Sequence, residues 1–248
     1  MSIKINLNHK NAIVTGGTRG IGKAIVKALL ESGANVIATG TNQRQINKLN
    51  KKYKSYSVKY FVLELSNPAS IKKFAEKINK DEIHILINNA GINMVNNIDK
   101  VSDEDFRNVL EINLTGPMIL SREFGSRMIK NKWGRIVNIA SIWSVVSREG
   151  RISYTSSKSG LLGMSKTMAV EWASKNILVN CVSPGFTNTE LTAKTNSKNE
   201  LKEIKNKIPQ KRLAKPDEIA KCVLFLVSEL NSYITGQNII IDGGYTAK

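Results

Sequence analysis

Apolar positions along the chain fall into short runs separated by longer stretches of helical period. Residues 11–15, 35–39, 58–65, 83–88, 135–139, 178–182 and 238–241 are compact and rich in Val and Ile, and they predict strands. Between them, apolar residues recur at three and four positions. This spacing predicts helices over 21–32, 68–79, 103–129, 154–174 and 217–227. In the first helix Ile21, Ile25 and Leu29 share the inner face, and Gly33-Ala34 ends it. Strand–helix alternation implies a parallel sheet with helices on both faces. The expectation is an α/β chain forming a single Rossmann domain over residues 1–248: a doubly wound parallel sheet of about seven strands. No linker or repeat divides it. The polar stretch 189–207 is expected to be a mobile lid over the substrate.

Composition narrows the class. The 248 residues, 41% of them hydrophobic, suffice for a large core. Two cysteines, Cys181 and Cys222, suggest neither a disulfide framework nor a Cys-rich metal site. No N-terminal signal and no spanning apolar run is visible, so a cytoplasmic protein with no membrane partner is expected. The net charge of +17 comes from lysines scattered along the whole chain. Nucleic-acid binders interleave basic patches with aromatics, and that pattern is absent, so no nucleic-acid partner is expected. The charge would instead attract an acidic substrate or carrier.

Chemistry concentrates in five places. The run Thr15-Gly16-Gly17-Thr18-Arg19-Gly20-Ile21-Gly22 lies where the first strand meets the first helix. Gly16 permits a sharp turn, Gly20 a close approach to a pyrophosphate, and Gly22 the packing of helix on strand. The helix N-terminus offers free N–H groups to phosphate. A site that prefers NAD usually carries an acid at the end of the second strand, whereas this chain reads Thr39-Gly40-Thr41-Asn42. Arg19, with Arg44 as a second candidate, could pair with a 2′-phosphate, which favours NADP(H). Asn88-Asn89-Ala90-Gly91 ends the fourth strand, and its small residues suit close passage of the adenosine-ribose side of the cofactor.

Tyr154 precedes Lys158 by four residues, which puts both on one helical face. An ammonium beside the phenol is expected to lower its pKa and make it a usable proton donor. Ser141, at the end of the fifth strand, could hold a substrate carbonyl or serve as a cap. Asn113, in mid-helix, could hold a relay water for Lys158 or be a satisfied core amide. Pro184-Gly185-Phe186-Thr187 would lie over the nicotinamide, with the hydroxyl of Thr187 or Thr189 on its carboxamide. His9 and His84 form no metal constellation, so no metal is expected.

Taken together, these motifs resemble the short-chain dehydrogenase/reductase superfamily from about Lys10 to Tyr245. The resemblance implies that Asn113, Ser141, Tyr154 and Lys158 form a catalytic tetrad, with Lys158 also on the nicotinamide ribose. It places Thr18, Ile21, Thr41, Glu64, Leu65 and Asn89 to Gly91 along the cofactor. The ending Ile234-Thr235-Gly236-Gln237 … Asp242-Gly243-Gly244 is typical of the family and implies a homotetramer. Within the superfamily the chain most resembles the 3-oxoacyl-[acyl-carrier-protein] reductases of fatty acid synthesis. Lys132 and Lys175 stand where those reductases carry the arginines that dock an acyl carrier protein. The chain departs from that group near the pocket. Trp143 replaces a small aliphatic residue, and Gly150-Arg151-Ile152-Ser153-Tyr154 replaces Gly-Gln-x-Asn-Tyr, with Arg148 nearby. Trp143, Arg148 and Arg151, with Ser141 and Tyr154, are the expected substrate contacts. They keep open a dehydrogenase of an anionic sugar, polyol or hydroxy acid. A non-catalytic NADP-binding sensor or scaffold is a further alternative.

Overall fold

The computed structural model describes residues 4–78, 82–194 and 196–247. The predicted helix end at Asn79 and position 195 of the polar stretch lie outside the described residues, as do the first three residues and the last. Seven strands form one sheet: β1 (Asn11–Val14), β2 (Asn35–Gly40), β3 (Val58–Val62), β4 (Ile85–Asn88), β5 (Gly134–Ile139), β6 (Ile177–Pro184) and β7 (Asn238–Ile241). All pair in parallel, in the order β3-β2-β1-β4-β5-β6-β7. The chain winds outward from β1 to β3 and then crosses back to β4. The crevice beyond the carboxyl ends of β1 and β4 is therefore the topological switch point, where such sheets bind ligands.

Alternation along the strands separates two cores. Ile13, Leu86, Ile136 and Val179 face one side, with Ile71 and Phe74 of α3 (Pro68–Lys77) and Leu120, Phe124 and Met128 of α5 (Gly116–Asn131). Val14, Ile85, Ile87, Val137 and Val182 face the other. There they meet Ile25 and Leu29 of α1 (Gly20–Glu31) and Val223 and Leu226 of α9 (Pro216–Val227). A buried polar row crosses the first side. The Asn88 amide donates to Ser121 Oγ at 3.1 Å and to Asn138 Oδ1 at 2.8 Å. Asn138 donates to Ser165 Oγ at 2.7 Å, and the Cys181 thiol donates to the same oxygen at 3.0 Å.

Strand limits follow the partner available. The predicted third strand stops at Val62 because β2 ends at the Gly40–Val62 pair. The fourth starts at Ile85, where its pairing with Ala12 of β1 begins. β6 exceeds its predicted span because it is paired on both sides.

One helical expectation needs correction, and two segments read without helices contain them. The helix expected over 103–129 is α4 (Asp103–Leu110), a π turn (Glu111–Thr115) and α5. The extra residue in the π turn widens the helix at Asn113. A helix α2 (Gln43–Lys52) was not predicted: Ile46 and Leu49 mark its inner face, but all its other positions are polar; Asn42 caps it by accepting from Gln45 N. The polar stretch 189–207 contains α7 (Glu190–Lys194) and α8 (Lys198–Lys207). α8 is started by a reciprocal capping box: Glu200 N donates to Ser197 Oγ, and Ser197 N donates to the Glu200 carboxylate.

Phe124 is fully buried and meets Phe74 edge-on at 6.2 Å between ring centroids. Phe124→Ala is expected to lower stability by about 3–5 kcal/mol through lost transfer energy and a residual cavity, as read by urea unfolding.

Candidate active site

The glycine turn is built as a phosphate cradle. Gly16 (φ +64°) and Gly20 (φ +54°) occupy left-handed backbone, which a side chain would strain. A Cβ on Gly22 would lie 2.3 Å from the Gly16 carbonyl oxygen, so that position is closed to any other residue. α1 starts with no side-chain cap and no acid in its first turn, leaving the N–H groups at Gly20, Ile21 and Gly22 to a ligand. Thr18 abuts Gly40 at the end of β2, and Arg19, largely exposed, follows it. Its only ion pair among the described residues is a loose one to Glu190 at 3.9 Å. Thr41 and Glu64, at the ends of β2 and β3, are exposed, and Leu65 is buried against Gly116. This edge carries no competing acid at the β2 terminus, and it fits a phosphorylated dinucleotide.

Asn88 to Gly91 close the turn from the other side. Asn89 donates its amide to the Thr15 and Gly16 carbonyls at 2.9 and 3.2 Å. A Cβ on Gly16 would stand 3.0 Å from Ala90 Cα, which explains the small residues on both sides. Gly91 passes close to Asn113 and Lys158: a Cβ there would be 3.1 Å from Asn113 Oδ1 and 3.4 Å from Lys158 Nζ.

The four residues expected to act together are gathered at the carboxyl ends of β4 and β5. α6 (Ile152–Trp172) presents Tyr154 and Lys158 on one face. The Lys158 ammonium is buried and donates to the Ile139 carbonyl at 2.7 Å, 5.7 Å from the centre of the Tyr154 ring. Ser141 is buried, and its hydroxyl acts on the Tyr154 phenol to lower its pKa. It also accepts from Trp143 N at 3.2 Å, so it caps the short turn that follows β5. Asn113 is fully buried in the π turn. Its amide hydrogens go to the Ile92 carbonyl (2.9 Å) and Ser157 Oγ (3.0 Å), and its oxygen accepts from Ile92 N (2.9 Å). Both hydrogens are spent on the chain, so a relay water would meet only acceptors here.

One electrostatic expectation changes. Burial pushes the Tyr154 phenol above its ordinary value, and the nearby Ser141 hydroxyl and the Arg151 charge only partly reverse this. Tyr154 is therefore not acidified by Lys158; it is a protonated donor at neutral pH. Burial lowers Lys158 to about 8, with the neighbouring Cys181 thiol acting in the opposite sense.

On the substrate side, Trp143, Phe186 and Tyr245 form an edge-on aromatic trio with centroid separations of 5.4–6.5 Å. Trp143 and Tyr245 border a cavity of about 290 Å³ that Lys207 also lines. The guanidinium groups of Arg148 and Arg151 lie 5.4 and 5.9 Å from the Trp143 ring. Pro184 ends β6, and Gly185 N donates to the Ile241 carbonyl at 2.8 Å. Thr187 is buried and spends its hydroxyl proton on the Gly185 carbonyl at 3.1 Å. Thr189 lies beside Gly20, at the phosphate end of the crevice.

Lys132 and Lys175 do not join the site. Both are exposed neighbours, tied through the bond from the Asn176 amide to the Lys132 carbonyl at 3.1 Å. They precede β5 and β6 and so stand at the amino-terminal edge of the sheet. Six residues of β5, about 20 Å of extended chain, separate Lys132 from Ser141. They are surface lysines away from the Tyr154 crevice, and the carrier-docking expectation concerns the protein's outer face. Sequence reasoning missed Thr15, Ser157, the Ile139 carbonyl and Tyr245. Thr15 lay inside the glycine motif and could have been found. The others are set by tertiary packing, with no local signal. Among the described residues no group of His, Cys, Asp or Glu is placed to hold a metal ion, and no helix is long and apolar enough to cross a membrane.

Comparison with known proteins agrees with this geometry. A family model described as enoyl-(acyl carrier protein) reductase matches residues 16–246. A 3-oxoacyl-[acyl-carrier-protein] reductase of Aquifex aeolicus is 41% identical over 247 residues, covering 98% of this chain and 99% of that protein. One from Buchnera aphidicola is 42% identical over 242 residues, covering 97% and 98%. Among solved structures, a putative NAD(P)-dependent gluconate 5-dehydrogenase from Beutenbergia cavernae with bound NADP superposes with a TM-score of 0.92. It shares 32% identity and covers 98% of this chain and 99% of its own. Through this end-to-end likeness, and a crevice that puts a Tyr–Lys pair beside a glycine cradle, the chain belongs to the short-chain dehydrogenase/reductase superfamily.

Proposed function

We propose that the protein is an NADP-dependent 3-oxoacyl-[acyl-carrier-protein] reductase acting in the cytoplasm. The observation that carries this reading is the convergence of Ser141, Tyr154 and Lys158 beside the cradle, in a chain matching such reductases over nearly its whole length. When bound, NADPH supplies a hydride to the substrate carbonyl carbon. Gly16, Gly20, Ile21 and Gly22 hold its pyrophosphate, and Arg19 pairs with the 2′-phosphate. Asn89, Ala90 and Gly91 line its adenosine-ribose side, and Lys158 holds the nicotinamide ribose.

The residues of the chain manage the proton. Ser141 orients the carbonyl oxygen toward Tyr154, and the phenol gives that oxygen its proton. Lys158, fixed by the Ile139 carbonyl, stabilises the phenolate left behind. Asn113 ties the Ile92 segment to α6 and so positions Lys158. The segment containing α7 and α8 acts as the lid: it reaches from Thr189 beside Gly20 to Lys207 beside Trp143. The exposed apolar side chains Met118 on α5 and Val170 on α6 support assembly as a homotetramer. The basic surface suits an acidic carrier.

Three outcomes test this reading. Tyr154→Phe is expected to lower kcat about 10²–10⁴-fold with acetoacetyl thioester while NADPH still binds, as read by NADPH fluorescence. Arg19→Ala is expected to cut the preference for NADPH over NADH at least tenfold, measured as the ratio of kcat/KM values. The pH profile follows from Lys158. Its pKa in the folded chain is lowered to about 8, so its ammonium is present below that pH and lost above it. The kcat/KM for reduction is expected to fall as pH rises through about 8; a flat profile to pH 10 would remove the role given to Lys158.

A further inference from the structure

The amino terminus of α6 carries a group of polar atoms that the chain leaves unsatisfied. Arg151 is the N-cap residue, only 5% exposed, and its Nε is buried with no hydrogen-bond partner. Ser153 is 1% exposed, and its hydroxyl is also without a partner. The helix has no side-chain cap and no acid in its first turn, so its positive end is open. Arg148 lies over the same Trp143 ring as Arg151, at 5.4 Å from its centre. Among the described residues neither arginine is in an ion pair. Glu200 of α8 is close enough to feel Arg148, but its carboxylate is committed to the capping box with Ser197.

A buried guanidinium without a counter-charge is costly, and two on one indole ring repel each other. Such a cluster is stable as a binding site when an anion completes it. Its position fixes what that anion is attached to. Arg151 caps the helix that carries Tyr154 one turn on, and each of the two groups acts on the other's charge. The anion therefore sits only a few bonds from the carbonyl that Tyr154 protonates. A phosphate at the far end of a long carrier arm does not reach this place. A carboxylate on the substrate itself does, and it matches the guanidinium fork.

We infer that the amino terminus of α6, with Arg151 as its main contact and Arg148 beside it, is a carboxylate subsite, and that the enzyme also reduces free short 3-oxo acids. This rests on the reading of Tyr154 as proton donor. In that step the ketone carbon gains the hydride that NADPH loses, and the oxygen gains one proton from Tyr154. The product is the 3-hydroxy acid, and Tyr154 is reprotonated from solvent.

The test uses the full-length enzyme saturated with NADP⁺, titrated with succinate in a calorimeter. Succinate is expected to bind, with affinity weakened at least tenfold in Arg151→Gln and about threefold in Arg148→Gln. NADP⁺ affinity reports that each variant is folded; if Arg151→Gln fails that control, the exposed Arg148→Gln decides. In parallel, acetoacetate is compared with its N-acetylcysteamine thioester, which carries the same ketone without the charge. Arg151→Gln is expected to lower the acetoacetate-to-thioester ratio of kcat/KM at least tenfold. Unchanged succinate affinity in the deciding variant, no succinate binding, or displacement by inorganic phosphate alone would overturn the subsite. A wild-type enzyme that binds succinate but does not reduce the thioester would instead overturn the carrier-thioester function and leave the subsite standing.

Discussion

The functional end of the molecule depends on one hydroxyl. Thr15 Oγ1, at the end of β1, accepts from Asn89 N at 2.9 Å and Ala90 N at 3.0 Å and donates to the Ile87 carbonyl at 3.4 Å. These bonds join the strands that diverge at the switch point. They add to the backbone bond from Thr15 N to the Ile87 carbonyl and to the Asn89 amide bonds in fixing the β1–α1 turn to the end of β4. With them, Gly16 is pressed against Ala90 and Asn89 is placed to hold the turn's carbonyls. The cradle and the wall opposite it are thus one rigid object. Gly91 extends that wall to Lys158, so the phosphate end and the proton-transfer end share a frame.

Burial sets the electrostatics more than pairing does. Tyr154 and Lys158 share a helical face, yet desolvation dominates both. It holds the phenol protonated and brings the ammonium within reach of neutral pH. The Ile139 carbonyl determines where that ammonium points. The pair is a protonated donor beside a fixed cation, and phenolate stabilisation matters only once the proton has gone.

Much of this was legible in the sequence because it is local. The glycine spacing, the Tyr-x-x-x-Lys step and the strand–helix alternation are read within a few residues, and each falls where expected. What was hidden is what tertiary contacts decide. The π turn at Asn113 exists because its amide reaches across to Ile92 and Ser157, residues 21 and 44 positions away. α2 was overlooked because its inner face within Gln43–Lys52 rests on Ile46 and Leu49 alone, among eight polar residues. Trp143 and Arg151 could be singled out from the sequence, but their shared setting with Tyr245 depends on the chain's far end returning over β6.

The polar row through Asn88, Ser121, Asn138, Ser165 and Cys181 bears on how the chain reaches this state. Its members come from β4, α5, β5, α6 and β6, and each bond requires the others to be in register. A strand displaced by one residue would turn an amide toward the opposite layer and strand its partners in a dry interior. The row thus specifies register: a misaligned sheet gains hydrophobic contact but cannot close the row. The same property limits evolutionary drift. Apolar replacement of Asn88, Asn138 or Ser165 leaves a buried neighbour short of a partner, so change at these positions is expected as coupled substitutions, whereas Ser165 keeps its bonds to Asn138 and the Leu161 carbonyl when Cys181 is replaced.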